Sequence, residues 1–164
     1  MTTRQRQLGF SLIELLIVVG IIGIISAIAI PNLVASKRSA NEASAISTMR
    51  LIFSVQSTYR ATQGSGAYGS FGALQTAGLI DPVVAASDTT PKSGYLFTTG
   101  QVAAVSFPAL DSTGVPSVYS GLLATGQRSF FVNETGVLYF ALSDTAPTCT
   151  ADNARTVAGG TPVN

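Results

Sequence analysis

A chain of 164 residues with nine Lys or Arg against eight Asp or Glu, and a formal net charge of +1, holds one modest domain plus whatever anchors it. It has no His and one Cys, which removes the commonest general base and transition-metal ligand and excludes a thiolate metal cluster. It also lacks a P-loop, a paired-glycine dinucleotide fingerprint and a nucleophile elbow, so the composition points away from an enzyme and toward no cofactor.

Residues 1–9 form a short leader whose charges are Arg4 and Arg6. From Phe10 to Ile30 the chain is apolar apart from one carboxylate, Glu14. As a helix this run is about 31 Å long, enough for the hydrocarbon core of a bilayer. An ionised side chain inside such a helix costs about 2.5–3.5 kcal/mol at mid-membrane and less toward an end, so it marks a site with a partner. Two plainer readings compete. In one, the segment is a secretory signal peptide with Ala27-Ile28-Ala29 as its small-x-small cleavage site, but the run is longer than such a region needs and Glu14 has no purpose in it. In the other, the run is a simple anchor and Glu14 faces the membrane interface.

The residues Leu8-Gly9-Phe10-Ser11-Leu12-Ile13-Glu14-Leu15-Leu16, continuing through Ile17-Val18-Val19 and Gly23-Ile24-Ile25 to Ala29-Ile30-Pro31-Asn32, resemble the start of a type IV prepilin. The resemblance implies that a prepilin peptidase cuts between Gly9 and Phe10 and that the new Phe10 amine is N-methylated. It further implies that Glu14 meets the Phe10 amine of a neighbouring subunit, setting the register of a helical homopolymer. Physics supports such a pair independently, because an ammonium and a carboxylate a few Å apart in low dielectric offset each other's desolvation. Arg4 and Arg6 favour an N-terminus in the cytoplasm while Lys37 and Arg38 pull the other way; the leader resemblance breaks the tie.

Beyond Ile30 the helical signal continues through residues 32–62. Ile46, Met49, Ile52, Phe53 and Tyr59 recur at three- and four-residue spacing, with Lys37, Arg38, Glu42, Arg50 and Arg60 on other faces. The helix is expected to run from Phe10 to about Ala61, some 78 Å, and to stop at Gln63-Gly64-Ser65-Gly66. Pro31 is expected to kink it or unwind a turn, and Gly20 and Gly23 weaken helix propensity. Gly23 and Ala27 make a small-xxx-small pair that suits either close helix approach or a surface tolerant of small residues. Related pilins lose helicity in this stretch when packed in filaments, which the Gly and Pro content would permit.

Residues 63–93 read as a connecting region in which Ser70 caps a short helix ended by Gly78 and Asp81-Pro82 turns the chain. Strands are expected at Tyr95–Thr99, Val102–Phe107, Val118–Ala124, Ser129–Val132 and Val137–Leu142 within a head at 94–145. Asn133-Glu134-Thr135-Gly136 has the residues of a hairpin turn. Residues 146–164, rich in Thr, Ala and Gly, read as coil. The fold class is α+β, a long N-terminal helix whose first half (10–31) is transmembrane, packed against an antiparallel sheet. Gly94–Phe97 and Arg128–Val137 resemble, less specifically, the sheet of pilin and pseudopilin heads.

Many pilins close a C-terminal loop with two cysteines; here Cys149 is alone, so that loop is held otherwise or is loose. Related major pseudopilins hold calcium near the C-terminal end of the head, which makes Asp144 and Asp152 weak ligand candidates against a plain reading as solvated loop charges. Asn133-Glu134-Thr135 also fits a glycosylation sequon, though a tight turn explains it. Residues 33–60 carry net charge +3 and residues 65–164 net charge −3, a polarity that could complement between subunits though weakly. An acidic head argues against a nucleic-acid site. The leading expectation is a subunit of an extracellular type IV pilus serving adhesion, motility or DNA uptake, inserted in the inner membrane as a precursor and assembled by a platform and its ATPase. The alternatives are the major pseudopilin of a type II secretion system, working in the periplasm, and a membrane-anchored binding domain that never polymerises.

Overall fold

The computed structural model describes residues 9–103 and 105–163. The leader residues up to Leu8, with Arg4 and Arg6, lie outside that range. The chain divides into two compact units at Ser36/Lys37, and one helix, α1 (Leu12–Thr62), enters both.

In the first unit α1 is exposed to solvent almost throughout. It is a helix long and apolar enough to cross a membrane, and its apolar stretch has no buried residue. Pro31 lies inside the helix without interrupting it, so the unwound turn expected there is absent. Proline removes a single backbone donor, and in the next position Asn32 Nδ2 adds a 3.0 Å bond to the Ile28 carbonyl, which reinforces the same turn.

The second unit is built on the other half of α1. Ala45, Thr48, Met49, Ile52, Val55 and Gln56 are buried at three- and four-residue intervals, one face of a 3.6-residue period. Against them pack α2 (Phe71–Thr76), α3 (Pro82–Ala85) and a five-stranded antiparallel sheet. Its strands are β1 (Tyr95–Val102), β2 (Ala109–Pro116), β3 (Ser129–Asn133), β4 (Leu138–Ala141) and β7 (Thr161–Pro162), in that spatial order. A small second sheet pairs β5 (Thr148–Cys149) with β6 (Val157–Ala158). The core joins Met49 and Ile52 of α1 to Phe71, Leu74 and Val84 and to Tyr95, Phe97, Phe130 and Leu138 of the sheet. This is the α+β, pilin-like architecture of a long helix packed on an antiparallel sheet.

Several strands differ from expectation. β1 runs on to Val102 as one strand, the described residues among 103–107 are not in a strand, and β2 occupies a segment, Ala-Leu-Asp-Ser-Thr-Gly-Val-Pro, of low strand propensity. Partner chemistry overrides propensity there. Thr98 and Thr113 hydroxyls meet at 2.7 Å and those of Thr99 and Ser112 at 2.6 Å across the β1–β2 ladder. Gly114 is needed because a Cβ would stand 2.9 Å from the Phe97 ring and 3.3 Å from Met49 Sδ. Val118–Ala124, expected as a strand, is an irregular loop, because carbonyls within it and just after it are taken by side chains of α1. Arg38 donates to the carbonyls of Gly121 (2.7 Å) and Ala124 (3.2 Å), and Asn41 to that of Thr125 (2.9 Å).

The short elements follow local rules. Ser70 caps α2, its hydroxyl accepting from Ala73 N, and Gly78 follows at φ +70°. Asp81-Pro82, expected as a simple turn, opens α3 instead, with Asp81 Oδ1 accepting from Val83 N at 2.7 Å and Pro82 in the first turn. The β3–β4 hairpin closes with Gly136 N donating to Asn133 O at 3.0 Å and Gly136 at φ +78°, the left-handed position glycine fills without strain. Residues 146–164, expected as coil, hold β5, β6 and β7.

Candidate functional site at the N-terminal helix

Ser11 precedes the first helical residue, and Glu14 Oε2 accepts from the Ser11 backbone N–H at 2.9 Å. Ser-x-x-Glu at a helix start is the capping-box pattern, in which the third helical residue reaches back to satisfy a donor the helix cannot. The spacing was readable at Ser11 and Glu14, and it gives Glu14 a task within its own chain. The carboxylate is thereby held over the first turn, one residue from Phe10. Phe10 is 82% exposed, and Gly9 is exposed and outside the helix, so the Gly9–Phe10 bond lies in accessible, non-helical chain just before α1. A negative charge also suits this end of the helix, where unsatisfied N–H groups carry partial positive charge.

Gly20 and Gly23 are exposed, and a Cβ at either would meet nothing within 4 Å. Within one chain, then, nothing requires these glycines for space. Ala27 is likewise exposed.

The second candidate site, at Asp144 and Asp152, does not gather. Among the described residues no group of three or more His, Cys, Asp or Glu is placed to hold a metal ion. Asp152 instead serves its own loop: it accepts from Thr150 Oγ1 at 2.6 Å and from the Ala154 and Arg155 N–H groups at 3.1 Å. Those bonds, the Thr150 hydroxyl first, hold its carboxyl below the usual range. Asp144 is exposed and takes only a 3.3 Å bond from Ser143. Asn133 of the sequon is buried, its Nδ2 directed at Cys149 Sγ at 3.8 Å, so the folded turn does not offer that amide for glycosylation. Burial raises the Cys149 thiol above its ordinary value, which disfavours the thiolate.

What holds the C-terminal region is a residue not among those singled out from the sequence. Arg155, in the β5–β6 connection, is buried and sits at φ +47°. Its guanidinium donates from Nε and Nη2 to the two oxygens of Glu134 at 3.0 and 2.9 Å. It also pairs with Asp111 and donates to the Leu110 and Thr150 carbonyls at 2.9 and 3.2 Å. One side chain thus ties the C-terminal segment to β2 and to the β3–β4 turn. The Glu134 bonds, more than any other contact, push the Arg155 pKa up. The readable signal was a lone cation among Thr, Ala and Gly, set against six acids in residues 65–164.

Comparison with known proteins bears on the N-terminal site. Residues 4–30 match the family model described as the prokaryotic N-terminal methylation motif. This chain begins with a prepilin-type methylation motif. Over 54 residues it is 41% identical to the type IV major pilin protein PilA of Myxococcus xanthus (strain DK1622), a match that covers 33% of this chain and 24% of that protein. The chain is therefore compared with about a quarter of that relative's length. No solved structure matches the chain. The prepilin-type motif coincides with the exposed start of α1, so the likeness to a type IV pilin and the geometry of Phe10, Ser11 and Glu14 concern the same residues.

Proposed function

We propose that this chain is the structural subunit of a type IV pilus filament, polymerising through α1. The observation that carries the reading is a prepilin-type motif on a helix whose apolar stretch has no buried residue. Some 20 apolar residues with no cover demand either lipid or copies of themselves. In this reading the precursor sits in the inner membrane with its N-terminus in the cytoplasm, and a prepilin peptidase cuts between Gly9 and Phe10. The Phe10 amine is then N-methylated. The Glu14 carboxylate, already aimed over the first turn by its bond to Ser11 N, pairs with the Phe10 ammonium of an adjacent subunit. Leu12, Leu15 and Ile22 exchange lipid contacts for contacts with neighbouring helices. Gly20, Gly23 and Ala27 allow those helices to approach closely, and Pro31 marks where the helix can bend as it packs. The work of extraction falls to an assembly platform and its ATPase, and the role of the protein is assembly, not catalysis.

Electron microscopy of material sheared from the cell surface, with N-terminal mass spectrometry of the filament protein, tests this. Extracellular fibres whose subunit starts at methylated Phe10 support the pilus. A subunit processed at Phe10 but confined to the periplasm, without surface fibres, replaces the pilus by a secretion pseudopilus. An uncut Met1 start removes the assembly reading.

A further inference from the structure

Charge in the unit from Lys37 onward is separated by element. Lys37, Arg38, Arg50 and Arg60 stand on α1, and the ion pairs among the described residues, Arg128–Glu42, Arg155–Asp111 and Arg155–Glu134, engage none of them. Arg38 donates to the Gly121 and Ala124 carbonyls, and Arg60 to the Gly66 carbonyl and the Tyr68 hydroxyl. Arg50 is exposed and makes no such bond. It lies on the face of α1 turned away from Met49 and Ile52, where its exposed neighbours Ala43, Ser47, Ser54 and Thr58 are short. Arg50 and the adjacent Leu51, 47% exposed, are the long side chains that project from that face.

α3 carries the opposite chemistry. Asp81 precedes it and Asp88 follows it, both exposed, and neither has a cation in ion-pair range among the described residues. Asp81 commits one oxygen, Oδ1, to Val83 N. Lys92, the cation nearest to Asp88 in the chain, donates instead to Thr48 Oγ1 at 2.9 Å. Between the two carboxylates in sequence stands Val83, 64% exposed. Asp144 beside the exposed Leu142 is a lesser version of the same pattern, with one carboxylate that already accepts from Ser143.

We propose that the Arg50–Leu51 face of α1 docks on the Asp81–Val83–Asp88 segment of a second copy, Arg50 meeting the carboxylates and Leu51 covering Val83. The proposal rests on the filament reading and names a contact between its heads. Each chain carries both halves, opposite in charge and each with one projecting aliphatic side chain, and the halves are not paired within the chain. Two unlike patches joined copy to copy make a heterologous contact, which continues into an open polymer where a self-complementary patch would close a dimer. An exposed ion pair is weak alone; aliphatic cover from Leu51 and Val83 displaces water beside it, and the contact repeats at every subunit.

The test is disulfide trapping in fibres sheared from cells that make the full chain with Cys149→Ser. Leu51→Cys and Val83→Cys are introduced together and oxidised with copper phenanthroline. The expected result is a ladder of dimers and longer multimers on a denaturing gel, with monomer alone from either single cysteine and from Leu51→Cys combined with Leu142→Cys. Separately, Arg50→Glu or Asp88→Lys should lower fibre yield several-fold, and the two together should recover part of the loss, the signature of a direct pair. Fibres in which the 51/83 pair stays monomeric overturn the contact and leave the filament reading standing. So does a ladder from Leu51→Cys alone or from the 51/142 pair, and so does a double charge variant no better than the singles. Cells whose unaltered chain makes no fibres remove the filament reading and this contact with it.

Discussion

Arg155 and Glu134 form a two-point ion pair, Nε to Oε1 at 3.0 Å and Nη2 to Oε2 at 2.9 Å, with the arginine side chain only 4% exposed and the glutamate 15%. The parallel fork is the strong geometry for a guanidinium and a carboxylate, and Leu110 N adds a third bond to Glu134 at 3.1 Å. The pair joins the β5–β6 connection to the β3–β4 turn, a place where a covalent bridge is impossible because Cys149 has no partner in the sequence.

Removing one member of this pair leaves the other buried without compensation. Arg155→Ala is therefore expected to destabilise the head by about 3–5 kcal/mol. Urea unfolding of the detergent-solubilised protein reads the loss, and amide exchange should show β5, β6 and β7 opening first. Replacing both partners by apolar residues of similar volume should cost much less than either single change.

The same cluster makes stability depend on pH. Burial, the largest single influence on Glu134, pushes its carboxyl up, but the Arg155 bonds and the backbone N–H groups together hold it below the ordinary glutamate range. A carboxyl lowered on folding contributes stability above its unfolded pKa, about 4.3, and that contribution is lost as pH falls toward the lower folded value. Asp111 works in the opposite sense: burial raises it despite Arg155, so its contribution is present in acid and lost as pH rises. The stability difference between the wild type and Glu134→Gln, measured from pH 7 to pH 3, is expected to shrink on acidification. A constant difference would show that the ion pair is not what the substitution removes.

Gly114→Ala should be costly although it lies in a strand. Its Cβ would fall 2.9 Å from Phe97 Cε1, and both Phe97 and Gly114 are buried. Overpacking of this kind costs about 1–3 kcal/mol. Gly100→Ala in β1, where a Cβ meets nothing within 4 Å, should be neutral or stabilising by about 0.4–1 kcal/mol. Thermal unfolding of the two variants side by side decides it.

Glu14 has two roles that substitution can separate. Glu14→Gln keeps a side-chain acceptor for Ser11 N, since Gln serves in a capping box as Glu does, but removes the charge. Insertion of the span should survive in both Glu14→Gln and Glu14→Ala, read by flotation with membranes. Filament yield should be strongly reduced in both, read by shearing and microscopy. Normal fibres from Glu14→Gln would mean that capping, not charge pairing with Phe10, is what Glu14 supplies.

Much of the fold was legible where the signal was local. The face of α1 carrying Met49 and Ile52, the Ser70 cap and the Asn133–Gly136 turn each depend on residues within a few positions of one another. β2 was not legible, because its Ser112, Thr113 and Gly114 are chosen by Thr98, Thr99, Phe97 and Met49 across the ladder and the core. Val118–Ala124 misled for the converse reason: apolar composition favoured a strand, while Arg38, about 85 residues away, had claimed carbonyls within it.

At the N-terminus the sequence alone located the long apolar helix. An apolar run of bilayer length, one carboxylate four residues after Phe10 and a Ser three before that carboxylate define the segment, because a helix that packs on nothing in its own chain answers only to its own residues. The head is different. Only the tertiary structure decided that Arg155, one cation in a weakly structured tail, would be buried between Glu134 and Asp111, because its partners come from other strands. A buried charge is tolerated only where such partners converge.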